Sequence, residues 1–446
     1  SLSCPSVAIL AQAIFLLTGR CKDPLHVVHP SPKVPPALLV NSETNMARSV
    51  FALLPVSGAL AMCPGGMMGT PPAGHAVVPD MPMYNEGLNW LDIQAVVADI
   101  NEAMTKSQEC WPADYGNYGP FWVRMAWHCS GTYRESDGRG GCGGGRQRFD
   151  PEASWEDNGN LDHARALLAP IKEKYGHALS WGDLMTTAGT IAIKSMGGPV
   201  TKVCFGRIDE PDGTSSLDLG PNKHQEDYAP CPVNGLCEKP LGTDTIGLIY
   251  VNPEGVVAWD VHQSKWAPQP DPVRSAEHVK EVFARMGMND TETVALIGGG
   301  HAFGKTHGAC REGNGECGKG DMKGKGNNTF TSGFEGPWTS TPTVWGNQFF
   351  RYTLEKTWEK HRGPGGRWQW RIKDAPEHEV GLMRLTSDMA LLEDPAFKAI
   401  VERFASDQGA LDIAFANAWF KLVTNGGRWS PNKRCVGADE IDDFLV

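Results

Sequence analysis

The chain has 446 residues, 41% of them hydrophobic, enough for a sizeable core in one large domain or two lobes. Its 41 Lys and Arg against 52 Asp and Glu leave a formal net charge of −11, a dispersed acidity that excludes a basic nucleic-acid surface and weighs against an acidic partner. The apolar run at 7–17 is too short to cross a bilayer, so no stable membrane span is expected.

In chain order, residues 1–90 are rich in Pro, Ala, Val and Met and have little periodicity, the composition of a targeting, linker or disordered segment. Within them, 46–61 carries one positive charge, a short apolar stretch and an Ala59-Leu-Ala61 end, as a secretory signal does, although Pro55 interrupts it. A secreted or organelle-targeted protein is therefore expected over a cytoplasmic one. From there the pattern turns helical, with Gly- and Pro-rich loops between helices predicted at 90–107, 161–175, 180–196, 273–286, 291–303, 345–359, 383–392, 395–407 and 410–423. Strand signals are few, so the expected class is mainly α. Ten cysteines follow Ala61, and Cys231/Cys237 and Cys310/Cys317 lie in polar loops suited to short disulfides, though spacing alone fixes no pairing. Neither pair has the spacing of a zinc ribbon. The run Asp439-Glu-Ile-Asp-Asp reads as a solvated tail.

Three side chains in the middle of the chain carry a specific chemistry. Arg124, Trp127 and His128 stand at i, i+3 and i+4, and on a helix they share one face. A permanent cation beside a titratable base suits heterolytic cleavage of a peroxide: the base moves a proton between the two oxygens while the cation stabilises the departing one. Downstream, an apolar run from Thr291 ends at His301 among small residues that let a flat macrocycle approach the backbone, which makes His301 a candidate axial haem ligand. Asp388, in Thr386-Ser-Asp-Met-Ala, is placed to accept the other ring N–H of that histidine and strengthen it as a donor to iron. Trp345 is expected beside the pair.

From about 87 to 432 the chain resembles a class I haem peroxidase of the plant, fungal and bacterial superfamily, and most of all the N-terminal domain of bacterial-type catalase-peroxidases. The resemblance rests on segments in order: Phe121-Trp-Val-Arg124-Met-Ala-Trp127-His128, Asp137-Gly-Arg-Gly-Gly, Gln147-Arg-Phe, Ser154-Trp-Glu-Asp157-Asn158, Gly247-Leu-Ile-Tyr250-Val-Asn-Pro-Glu-Gly, Arg285-Met286-Gly-Met-Asn-Asp, Gly299-Gly-His301-Ala-Phe-Gly-Lys-Thr-His, Gly336-Pro-Trp-Thr and Ala418-Trp-Phe-Lys-Leu. It implies a two-lobed fold with haem b between a distal and a proximal helix, a peroxidase domain at 91–432 and an acidic tail at 433–446. It further implies hydrogen peroxide and a small electron donor as partners, and it allows a homodimer. In it His128 is the acid–base group, Arg124 the charge stabiliser, Asn158 the residue that orients His128, and Asp157 a residue of substrate access. Trp127, Tyr250 and Met286 match a triad that becomes covalently joined in catalase-peroxidases, and Trp127 and Trp345 are candidate radical sites.

The chain departs from that pattern in three places. Asn425 stands where the family has a mobile arginine, with Arg428 close by in sequence. The connection after Glu254 is several residues longer than usual, and a second peroxidase-like domain is not part of this sequence. Clear peroxidase and reduced catalase activity are expected, with a plain ascorbate- or cytochrome c peroxidase-like enzyme and a non-catalytic haem-binding protein as the other readings.

Overall fold

The computed structural model describes residues 80–108, 112–216, 245–246, 250–261, 264–307, 332–363 and 366–445. The signal-like segment at 46–61 and the cysteine pairs 231/237 and 310/317 lie outside them. Among the described residues twelve α-helices and a few two- or three-stranded antiparallel sheets make a mainly α fold.

Its central element is Trp181–Ser195, a helix that reads apolar on nearly every side and is accordingly buried on nearly every side. Ser180 starts it, accepting the Asp183 N–H at 3.0 Å. Against it packs Gly119–Ser130, the helix that carries Arg124, Trp127 and His128. The close approach depends on Gly189, where a Cβ would come within 2.5 Å of the Ala126 methyl.

A buried ion pair ties this centre to both ends of the described chain. The Asp183 carboxylate accepts from Gly206 N at 2.6 Å, Arg207 N at 3.1 Å and Arg207 Nη1 at 2.9 Å. The Tyr84 hydroxyl donates to the Arg207 carbonyl at 2.7 Å and lies 3.3 Å from the same carboxylate. Burial pushes the Asp183 carboxyl up and the Arg207 guanidinium down, so each depends on the other and on these amides to stay charged.

Two expectations about the ends are corrected. Met81–Trp90, inside the segment expected to be disordered, is a helix whose Tyr84 and Leu88 are fully buried, and a second helix follows at Ile93–Met104 after the Asp92 cap. Residues 433–445 are not a solvated tail. Trp429–Gly437 is a strand paired antiparallel with Lys202–Arg207 and joined to it by the Cys204–Cys435 disulfide. Helix Ala438–Leu445 then buries Ile441 while Asp442 pairs with Lys194 at 2.9 Å. One apolar residue facing inward at each turn outweighs the acidic composition.

The helix expected at 345–359 covers only Gln348–Glu355; the chain then becomes the strand Trp358–Arg362, which pairs with Trp368–Ile372. That sheet continues to Met383–Arg384, so the helix expected at 383–392 shrinks to Thr386–Met389 and a 3₁₀ turn, Ala390–Leu392. Helices Leu161–Tyr175, Pro272–Arg285, Pro395–Ser406 and Gln408–Thr424 fall where periodicity predicts them, within two residues or so.

Replacing Asp183 by Ala strands the Arg207 charge in the core, and breaking a buried pair from one side costs about 3–5 kcal/mol. Urea unfolding of the variant should show a loss of that order; a loss under about 1 kcal/mol contradicts the central place given to the pair.

Candidate active site

Arg124, Trp127 and His128 share one face of Gly119–Ser130 and line one cavity of about 900 Å³, at the upper end of the range for cofactor-sized sites. The opposite wall includes His301, Trp338, Leu385 and Ser387.

On the first wall His128 is buried, its Nδ1 2.9 Å from Asn158 Oδ1. Asn158 Nδ2 donates to the Glu152 carbonyl at 2.7 Å, which leaves the amide oxygen facing the ring. The ring hydrogen therefore sits on Nδ1, and Nε2 keeps its lone pair. The imidazole pKa lies well below its ordinary value, through burial first and the Arg124 cation second, with the Asn158 hydrogen bond opposing. Arg124 is aimed by two carbonyls, Nη2 donating to Asp157 O at 2.6 Å and Nη1 to Gly159 O at 3.1 Å. Asp157 itself is buried and lines the cavity.

On the second wall His301 is the C-cap of helix Asp290–Gly300, which opens with a reciprocal Asn289–Glu292 capping box. The glycines before it serve packing: a Cβ on Gly298 would come within 2.2 Å of the Phe350 ring and one on Gly299 within 2.3 Å of Phe415. Only Gly300 opens onto the cavity. His301 Nδ1 is 2.8 Å from Oδ1 of Asp388, a fully buried residue whose Oδ2 accepts from Leu385 N at 2.8 Å and from Trp338 Nε1 at 3.0 Å. Because a carboxylate only accepts, Nδ1 donates and Nε2 is left to bind a metal.

The tryptophan of this wall is Trp338, not Trp345 as expected. Its indole stacks on the His301 ring with centroids 4.1 Å apart and planes 9° from parallel. Trp345 turns elsewhere: its Nε1 donates to Asp412 Oδ1 at 2.8 Å, and its ring packs on Phe303 and Phe415. The signal for Trp338 lies in Gly336-Pro-Trp, because Gly336–Pro337 pairs as a short strand with Lys305–Thr306 and so sets the next residue beside His301.

Sequence reasoning also missed Lys305, Thr306 and His307, which line the cavity four to six residues after His301. Lys305 pairs with Glu335, and His307 Nε2 with Asp114. Among the described residues no group of three or more His, Cys, Asp or Glu could hold a bare metal ion. A lone imidazole backed by a carboxylate, in a cavity of this size, fits a metal whose other ligands come from a planar macrocycle.

The remaining sequence-level residues are placed only in part. Met286 is fully buried just after helix Pro272–Arg285, and its carbonyl accepts from Asn425 Nδ2 at 3.1 Å. Trp127 stacks on Phe283, three residues before it, at 5.5 Å. The backbone of Tyr250 lies in a two-residue strand paired with Thr245–Ile246, while its side chain is outside the described part of the structure. Arg428 is an exposed partner of Glu210 at 3.3 Å. The long connection after Glu254 is a hairpin, Val257–Asp260 with Lys265–Pro268, and its Trp259, Ser264, Ala267 and Pro268 line the cavity. Among the described residues no helix is long and apolar enough to cross a membrane.

The peroxidase family model matches residues 96–407. A catalase-peroxidase of Salinibacter ruber is 43% identical over 389 residues, which cover 81% of this chain and 52% of that protein. Catalase-peroxidase 1 of Haloarcula marismortui is 43% identical over 394 residues, with the same coverages, and catalase-peroxidase 2 of Legionella pneumophila is 44% identical over 388, covering 81% and 50%. The chain spans about half the length of these curated relatives. With its mainly α fold and the haem cofactor that the match implies, the chain belongs to the peroxidase family and resembles the class I haem peroxidases of catalase-peroxidase type.

Proposed function

We propose that the chain binds haem b through His301 and reduces hydrogen peroxide, oxidising small donors one electron at a time. The observation that carries this reading is the contrast between two imidazoles facing one cavity. His301 is hydrogen-bonded to a buried carboxylate, which raises its strength as a ligand. His128 is hydrogen-bonded to a neutral amide and stands beside a guanidinium, which keeps it uncharged and ready to accept a proton.

Bound haem would supply the redox-active iron, and the chain's own residues do the rest. His128 Nε2 takes the proton from the near oxygen of the peroxide and returns it to the far one, while Arg124, fixed by the Asp157 and Gly159 carbonyls, stabilises charge on the leaving oxygen. Lys305, Thr306 and His307 line the cavity, and an ammonium, a hydroxyl and an imidazole form a set suited to the two carboxylates of haem b. Asp157 lines the approach.

Catalase activity, by analogy with the named relatives, is expected to be present but reduced. Asn425 replaces the cation expected at its position and spends its amide on the Met286 carbonyl, and Arg428 is engaged with Glu210. The same observation favours a second reading, a plain class I peroxidase, which oxygen release from peroxide separates from the first. An oxidising compartment, secretory or organellar, is our inference for its location, supported by the Cys129–Cys142 and Cys204–Cys435 disulfides.

His301→Ala should abolish or greatly weaken haem retention; a haem spectrum identical to the parent's sinks the ligand assignment. Trp338→Phe should shift that spectrum, whereas Trp345→Phe should leave it in place, and the reverse result would restore Trp345 to the proximal wall.

His128→Ala should slow the reaction with peroxide by about 10²–10⁴-fold with haem still bound. A protonated His128 cannot act as base, and its pKa is depressed, so the stopped-flow rate should hold as pH falls through the ordinary imidazole range near 6.5. Removing the neighbouring cation in Arg124→Leu raises that pKa and should move the acid limb to higher pH. A limb that stays put or moves down would show that Arg124 does not tune His128.

A further inference from the structure

We propose that the Cys129–Cys142 disulfide positions the base His128, an inference that rests on the assignment of His128 above. Cys129 follows His128 directly in the chain, and both cysteines are buried. The bond spans 13 positions and joins the end of helix Gly119–Ser130 to a glycine-rich loop. That loop folds tightly back on the helix end: Gly141 N donates to Thr132 Oγ1 at 2.9 Å, and at Gly140, with φ +83°, a Cβ would lie 2.1 Å from the Thr132 carbonyl.

From Cys142 a continuous set of bonds runs back to the imidazole. Arg146 Nη2 donates to the Gly141 carbonyl at 2.9 Å and its Nε to Glu152 Oε1 at 3.2 Å. Ser216 Oγ donates to the same Glu152 oxygen at 2.6 Å. The Glu152 carbonyl accepts from Asn158 Nδ2 at 2.7 Å, and Asn158 Oδ1 meets His128 Nδ1 at 2.9 Å. Gln147 Nε2 adds a bond to the Met125 carbonyl at 3.1 Å, three residues before His128.

One loop thus holds His128 twice, by its backbone through the disulfide and by its ring through Asn158. The disulfide is the covalent member of this circuit. With it open, the helix end and the loop can separate, and Nε2 loses a fixed position in the cavity. Misplacement by about 1 Å can cost a reacting group ~10²-fold.

A disulfide that merely adds stability would not alter proton acceptance, so the test reads the base directly. Hydrogen cyanide gives up its proton as cyanide binds haem iron, and a base on the open side sets that rate. The haem-loaded parent, the parent reduced with a phosphine and checked by peptide mapping for free Cys129 and Cys142 thiols, the variant Cys129→Ala/Cys142→Ala, and Asn158→Ala are compared by stopped flow at equal haem content. Opening the bond should slow cyanide association tenfold or more, as Asn158→Ala should, and leave the iron–imidazole stretch of the ferrous protein unchanged. Rates within twofold of the parent overturn the proposal, whatever happens to the melting temperature, as does a protein that unfolds whenever the bond is opened. A parent that binds no cyanide overturns the haem assignment itself, and the positioning role with it.

Discussion

A carboxylate removed wholly from water must be answered by donors, and the answer at Asp388 organises one side of the cavity. The His301 ring, the Trp338 indole and the Leu385 amide all point at its two oxygens. They come from a helix end, a short strand and a turn that are far apart in sequence, so the charge fixes the mutual position of three segments as well as the tautomer of one imidazole. The same field reaches Arg384, fully buried nearby, whose guanidinium is pushed down to about 9 by burial while Asp388 opposes that shift. Arg384 in turn donates to the carbonyls of Trp338 and Phe349 at 2.8 Å each and lies over the rings of Phe349 and Trp358. Trp338 is therefore held by its ring nitrogen and by its main chain.

The other side of the cavity works by the opposite rule. There the cation is Arg124, the partner of the histidine is an amide, and the result is an imidazole that resists protonation. Carbonyl groups fix both Arg124 and Asn158, and carbonyls orient a donor without neutralising it. A carboxylate in place of Asn158 would raise the basicity of His128 and favour its charged form. The partners of the two imidazoles thus differ, carboxylate for His301 and amide for His128, and the roles proposed for them, metal ligand and proton acceptor, rest on that difference and on the Arg124 cation.

Much of this was legible in the sequence because it is local. The i, i+3, i+4 spacing of Arg124, Trp127 and His128 needs only a helix, and the helix Leu161–Tyr175 has the bounds that its periodicity predicts. What was not legible depends on pairings across the chain. Trp338 and Trp345 are seven residues apart with similar surroundings, and only the pairing of Gly336–Pro337 with Lys305–Thr306 tells them apart. Among the described residues disulfides join Cys129 to Cys142 and Cys204 to Cys435, at separations of 13 and 231, and spacing alone singles out neither pairing. Composition also misled at both ends, since Tyr84, Leu88 and Ile441 are a few buried side chains in stretches that average as polar or irregular.

The entrance to the cavity shows how variation can be contained. Glu254, at the base of the hairpin Val257–Asp260/Lys265–Pro268, is buried, and its carboxylate accepts from Arg367 Nη1 at 3.0 Å and Trp368 N at 2.8 Å. Its carbonyl accepts from Thr386 Oγ1 at 2.9 Å, two residues before Asp388. The base of the hairpin is thereby pinned to the segment that holds the buried carboxylate. Toward its tip the side chains are more exposed, Trp259 at 51% and Val261 at 71%. Changes of length or residue at the tip can therefore reshape the approach to the cavity while Glu254 and Thr386 keep the Asp388 wall in place.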